Sequence, residues 1–153
     1  MLAGVAFMLS SLLPSQTQNS IGDVLWMVAI VSLAVGIVGF HALQKAHYGR
    51  IGRAGLYTVI VAALAEVLGS IVLLLGSTAL EWLVFPIGTL GVLVGLVLYG
   101  VATLQARVLP LWCGLGFIIG LPIRLALLPI EPWGLVLFGL LWLALGFVLW
   151  SRG

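Results

Sequence analysis

Residues 57–76 form an apolar run of twenty, broken only by Thr58, Ser70 and one acid, Glu66, near its middle. At 1.5 Å per residue such a run covers roughly the 30 Å of a bilayer's hydrocarbon core. A large soluble core is the competing place for it, and composition decides between the two. Of 153 residues, 63% are hydrophobic and 7% are charged, whereas a soluble domain carries about a quarter charged residues. A soluble domain of this size also buries only about 70% of the surface its unfolded chain exposes. The chain is therefore expected to be one all-α transmembrane domain over 1–153, a polytopic helical bundle with the lipid bilayer as its first partner. An ionisable residue inside a span is costly, which makes Glu66 the first candidate site residue.

The rest of the chain can be placed around this run. Residues 2–13 are apolar, and Pro14 with the polar residues after it ends that segment. Twelve residues cover roughly 18 Å, too short for a full crossing. No basic region or small-residue cleavage pattern marks a signal peptide. A short or half-inserted first helix is expected, and a start upstream of Met1 would also account for its length. Residues 24–43 form an uncharged span opened by Ser20 and Asp23 in helix-capping form. Helix three is expected from Ala54 to a glycine cap at Gly76, and helix four over 82–104 after Thr78 and Glu81 at capping-box spacing. Helix five is expected from Pro110 to about Leu128, and helix six from Pro132 to Trp150. This gives five full spans plus the short N-terminal helix, or six spans if that helix crosses.

Charge assigns the sides. Lys45, Arg50, Arg53, Arg107 and Arg152 fall at one set of helix ends, and Asp23, Glu81 and Glu131 at the other. The positive-inside bias then puts the basic ends and the C-terminus in the cytoplasm, in a bacterial inner membrane. Trp26, Trp82 and Trp133 are expected in the outer aromatic belt, and Tyr48, Tyr57, Tyr99, Trp112 and Trp150 in the inner one. A weak internal repeat pairs Gly39, Leu43 and Gln44 with Gly100, Leu104 and Gln105, as two parallel copies of a helical hairpin.

Topology accounts for every charge except Glu66 and Arg124, which have opposite sign. Counted from the expected helix starts, they lie roughly 18 Å and 21 Å along helices three and five, both near the midplane. Small residues flank them: Ala62, Ala63, Gly69 and Ser70 around Glu66, and Gly116 and Gly120 before Arg124. Ser70, Gly120 and Pro122 are the candidate lining of the site, and Pro122 leaves the Ile118 carbonyl without its helical donor. Three readings follow. The pair is a clasp that fixes helix register, or a polar site for a proton, an ion or a charged headgroup. In the third reading the two do not meet, with Arg124 reaching toward Glu131 and Glu66 protonated.

Several chemistries are excluded. No Ser/His/Asp set, paired carboxylates, phosphate-binding loop or HExxH motif is present, and the loops are too short to build a site outside the membrane. No basic face suits nucleic acid. His41, His47 and Cys113 lack the spacing of a metal or haem site, so no cofactor is implied. Three basic residues around His47 fall short of a lipid-recognition cluster. Gly91/Gly95 and Gly116/Gly120 mark helix packing, with dimerisation through helix four as the alternative. Six short helices enclose little volume, which admits a homodimer or a larger membrane complex. The expectation is a small membrane protein that binds or transports a solute, ion or proton at Glu66 and Arg124. The alternative is a non-catalytic accessory or scaffold subunit. A lipid-directed membrane enzyme is a third reading, for which a lateral opening beside Arg124 would be the sign.

Overall fold

A computed structural model describes residues 1–12, 21–75, 81–127, 129 and 133–152, without the side chains of 12 and 81–85. They form six helices: α1 (Leu2–Leu12), α2 (Asp23–Gln44), α3 (Arg50–Leu74), α4 (Glu81–Ala106), α5 (Leu111–Ala126) and α6 (Trp133–Arg152). In hydrocarbon every backbone polar group must be satisfied within the chain, and a helix does so along its whole length. α2, α3, α4 and α6 are long and apolar enough to cross a membrane, while α1 and α5 are shorter apolar helices. Gly76, Thr78, Leu128, Glu131, Pro132 and the polar loop after Pro14 lie outside the described residues, as does the side chain of Trp82.

Several boundaries differ from those expected. α3 begins at Arg50, so Arg50 and Arg53 occupy its first turn and not a loop. Charge marks where hydrocarbon ends, but the helix continues into the polar interface until Gly49 interrupts it. α2 begins at Asp23 with no side-chain cap at Gly22. α5 stops at Ala126, leaving it 16 residues long, with Arg124 in its last turn. α4 ends at Ala106 and the chain reverses at Arg107, whose φ of 53° is the left-handed conformation that side chains disfavour. Arg107→Gly is expected to raise stability in detergent by up to about 1 kcal/mol, and Arg107→Val to lower it by a similar amount. Thermal unfolding checks this, and a less stable glycine variant would mean that contacts of the Arg107 side chain outweigh the strain.

Each helix packs on its neighbours in sequence, and α6 closes the ring on α1 while also touching α2. The α3–α4 seam is the most extensive of these contacts, and small residues explain why. A Cβ at Gly95 would lie 2.6 Å from Val59, and one at Gly91 2.7 Å from Ala62. At Gly55 it would lie 2.7 Å from the Tyr99 backbone nitrogen. The Gly91/Gly95 face is therefore used within the chain. Gly116 and Gly120 face Leu141 across the α5–α6 seam. The proposed repeat pairs residues with different surroundings: Gly39 packs on Leu149 of α6 and Gly100 on α5, and Gln44 is buried while Gln105 is exposed.

Aromatic rings fill the bundle's interior as a continuous series. Trp26 meets Phe7 at 5.4 Å and Phe7 meets Phe138 at 5.0 Å. Phe138 meets Trp142 at 6.1 Å, Trp142 meets Phe117 at 5.9 Å, and Phe117 meets Tyr99 at 5.5 Å. Tyr99 then contacts Tyr48, which contacts His41 at the basic end. Most of these are edge-to-face pairs, the arrangement the ring quadrupole favours. Trp26, Tyr48 and Tyr99 thus face inward and not into interfacial belts, whereas Tyr57, Trp112, Trp133 and Trp150 are exposed. Hydropathy locates a residue along a helix, but its face depends on which neighbours pack there.

Candidate functional site

The seam of small residues gives Glu66 its surroundings. Ala62 and Ala63 precede it by one turn, Gly69 and Ser70 follow by one, and all four are buried with it. Opposite, a Cβ on Gly88 would collide with the Glu66 side chain, so only glycine lets α4 approach there. The next residue, Thr89, donates its hydroxyl to Glu66 Oε1 at 2.7 Å. From α2, the Trp26 indole Nε1–H donates to Glu66 Oε2 at 3.1 Å. Glu66 is 2% exposed, and each of its carboxyl oxygens is held by a side chain from a different helix.

Arg124 completes the group. Its guanidinium carbon stands 4.8 Å from the centroid of the Trp26 ring, within cation–π range. The indole therefore stands between opposite charges, giving its N–H to the acid and its face to the base. Glu66, Arg124, Trp26, Thr89, Phe7 and Phe138 line an internal cavity of about 10 Å³, room for about one water.

Counting along the helices places this site in the acidic half of the bundle, not at its middle. Trp26 is three residues from the start of α2 and Arg124 two from the end of α5, roughly 3 to 5 Å at the helical rise. Glu66 and Thr89 are each eight residues from the acidic ends of α3 and α4, roughly 12 Å. The estimate from sequence counted from starts at Ala54 and Pro110; α3 begins four residues earlier, at Arg50, which sets Glu66 farther from the basic end, and α5 stops two residues after Arg124.

Glu66 and Arg124 thus come together around Trp26. The three candidate lining residues lie elsewhere. Ser70 is buried but gives its hydroxyl to the Glu66 backbone oxygen at 3.0 Å, within its own helix. Gly120 faces Leu141 in the α5–α6 seam, and Pro122 is exposed. Trp26 and Thr89, which make the hydrogen bonds, were not among the candidates. Thr89 carried a signal, as the only polar side chain in 86–98, beside the glycines that make α4 slender. Trp26 carried none, since a tryptophan near a helix end reads as a belt residue.

A second polar patch lies toward the basic end. Gln44, Tyr48 and Tyr99 are buried there, and the polar atoms of their side chains meet no hydrogen-bonding group among the described residues. Among those residues no three His, Cys, Asp or Glu side chains cluster in a way that could hold a metal.

Fold and site together define an integral membrane protein: an all-α bundle with a carboxyl and a guanidinium gathered around a half-buried indole. Comparison with protein-family models, with curated proteins and with solved structures finds no match.

Proposed function

We propose that this is a small membrane-embedded binding or transport protein in which Glu66 takes up and releases a proton at the acidic end of the bundle. The observation that carries this reading is a 2% exposed glutamate that shares a cavity of about 10 Å³ with a guanidinium. Intramembrane acids mark proton relays and ion pathways because their cost is otherwise selected against. A metal cation fits poorly, since both oxygens already accept hydrogen bonds from Thr89 and Trp26, and a cation would have to displace those donors. A proton needs no extra volume. A small solute or ion would enter only if Arg124 or Trp26 moved aside, and the aromatic series toward His41 would have to open for passage to the basic end. Loading from the acidic end follows.

The proposed setting is a bacterial inner membrane with the basic ends and C-terminus cytoplasmic, supported by five of the six basic residues falling at one set of helix ends. The test uses the full chain reconstituted in vesicles containing an internal pH dye. Wild type is expected to dissipate an imposed pH step faster than protein-free vesicles, and Glu66→Gln to return the rate to that of empty vesicles while eluting and melting as a folded protein. Equal rates for wild type and empty vesicles would reject proton movement.

A second reading, an accessory or scaffold subunit, draws on one specific observation. The Glu66 carboxyl ties α2 and α4 to α3 through its two hydrogen bonds, as a structural clasp would. A partner that stays bound through purification, with wild-type proton leak no faster than that of empty vesicles, would favour it.

A further inference from the structure

Arg124 faces two ways. Besides the internal cavity with Glu66, it lines a groove of about 480 Å³ on the α5–α6 side of the bundle. From Trp112 to Arg124 the groove follows thirteen residues of α5, roughly 18 Å at the helical rise. That is close to the roughly 15 Å of hydrocarbon in one leaflet. Leu115, Ile119, Ile123 and Leu137 line it and are each 45–51% exposed, so it opens sideways to lipid. Its floor is low because Gly116 and Gly120 carry no side chain above Leu141. Among the described lining residues Arg124 alone is charged, placed in the last turn of α5 at the acidic end.

We infer that this groove holds one acyl chain of an anionic phospholipid, with the headgroup phosphate on Arg124. Charge complementarity selects the occupant. A chain lying along Leu115, Ile119 and Ile123 brings its headgroup to the acidic end of α5, where the guanidinium offers five donors in a planar fork and can serve a phosphate along with its present contacts. The larger apolar groove, about 620 Å³ between α2 and α6 beside α1, has no charged side chain among its described lining residues and makes no such selection. Among the described lining residues of the α5–α6 groove there is no Ser, Thr, Cys, His or acid, so the lateral opening beside Arg124 supports lipid binding and not lipid chemistry. The inference is independent of proton exchange at Glu66.

Native mass spectrometry of the full chain with phosphatidylglycerol or phosphatidylcholine of matched chains tests it. Wild type is expected to retain the first phosphatidylglycerol roughly fivefold better, the ratio given by about 1 kcal/mol per basic residue near an anionic headgroup. Arg124→Gln should bring the ratio to about one and Arg124→Lys should keep most of it. Ile119→Trp, on the lipid-facing surface, should remove the first adduct of both lipids by filling the groove. The double variant Arg50→Gln/Arg53→Gln at the opposite end should leave the preference intact. Equal retention by wild type, a preference that survives Arg124→Gln or follows Arg50 and Arg53, or adducts that survive Ile119→Trp would each overturn the assignment.

Discussion

Arg124→Leu alone is expected to destabilise the bundle more than Arg124→Leu combined with Glu66→Leu. With the guanidinium gone, the carboxylate keeps only the neutral donors Thr89 and Trp26 in a space that admits about one water. It must then stay charged at a desolvation cost or take up a proton. Removing one partner of a fully buried pair costs about 3–5 kcal/mol. Arg124 is only half-buried, so about 1–2 kcal/mol is the appropriate expectation after solvent screening. Removing both charges leaves no uncompensated ion, only the Thr89 hydroxyl and the Trp26 N–H without their acceptor, and exchanging a buried pair for apolar side chains is often neutral or stabilising. The coupling in such a cycle, read from denaturant unfolding in detergent, should exceed about 0.5 kcal/mol. Additive single effects would show that the two charges do not share a site.

Gly55→Leu should leave little folded protein, and Gly55→Ala should cost at least about 2 kcal/mol, within the range for overpacked cores. The atoms that would oppose a new Cβ are the Tyr99 nitrogen at 2.7 Å and the Gly95 oxygen at 3.0 Å. Both belong to the backbone, so no rotamer change relieves the clash and α4 must move away from α3. That displacement would carry Thr89 off the Glu66 carboxyl, coupling the packing of the seam to the site. Gly49→Ala is the control, because nothing lies within 4 Å of a Cβ there, and its stability should stay within about 0.5 kcal/mol of wild type. The melting temperature and monodisperse yield in detergent report both outcomes. A Gly55→Ala protein that melts like wild type would show that the seam can spread without loss.

The extent to which the site was legible follows from what each residue must do. Glu66 and Arg124 stood out because a charge in an apolar run is expensive wherever the run ends up, and matching each remaining charge to a helix end left these two. Trp26 and Thr89 are far cheaper in a membrane than an ion, so charge matching did not flag them, and Thr89 stood out only as the one polar side chain in 86–98. The candidate lining failed to converge for a related reason. Ser70, Gly120 and Pro122 were chosen by spacing along their helices, and spacing does not say which neighbour a face meets. Ser70 meets its own backbone, Gly120 meets α6, and Pro122 is exposed.

The sequence alone determined that this chain is a helical bundle for lipid, because apolar runs of about twenty residues with few charges satisfy their backbone only as spanning helices. It also marked Gly91/Gly95 and Gly116/Gly120 as packing faces, since small residues at helical spacing let backbones approach, without saying which helix each face meets. Only the tertiary structure decided that the indole of Trp26 turns inward between the two charges, that the site lies in the acidic half of the bundle, and that Arg124 also faces a lateral groove. Each of these depends on how the helices are rotated against one another and where α5 ends. Helices apolar on all sides carry no stripe that fixes their rotation, so side-chain packing against the neighbouring helices must set it.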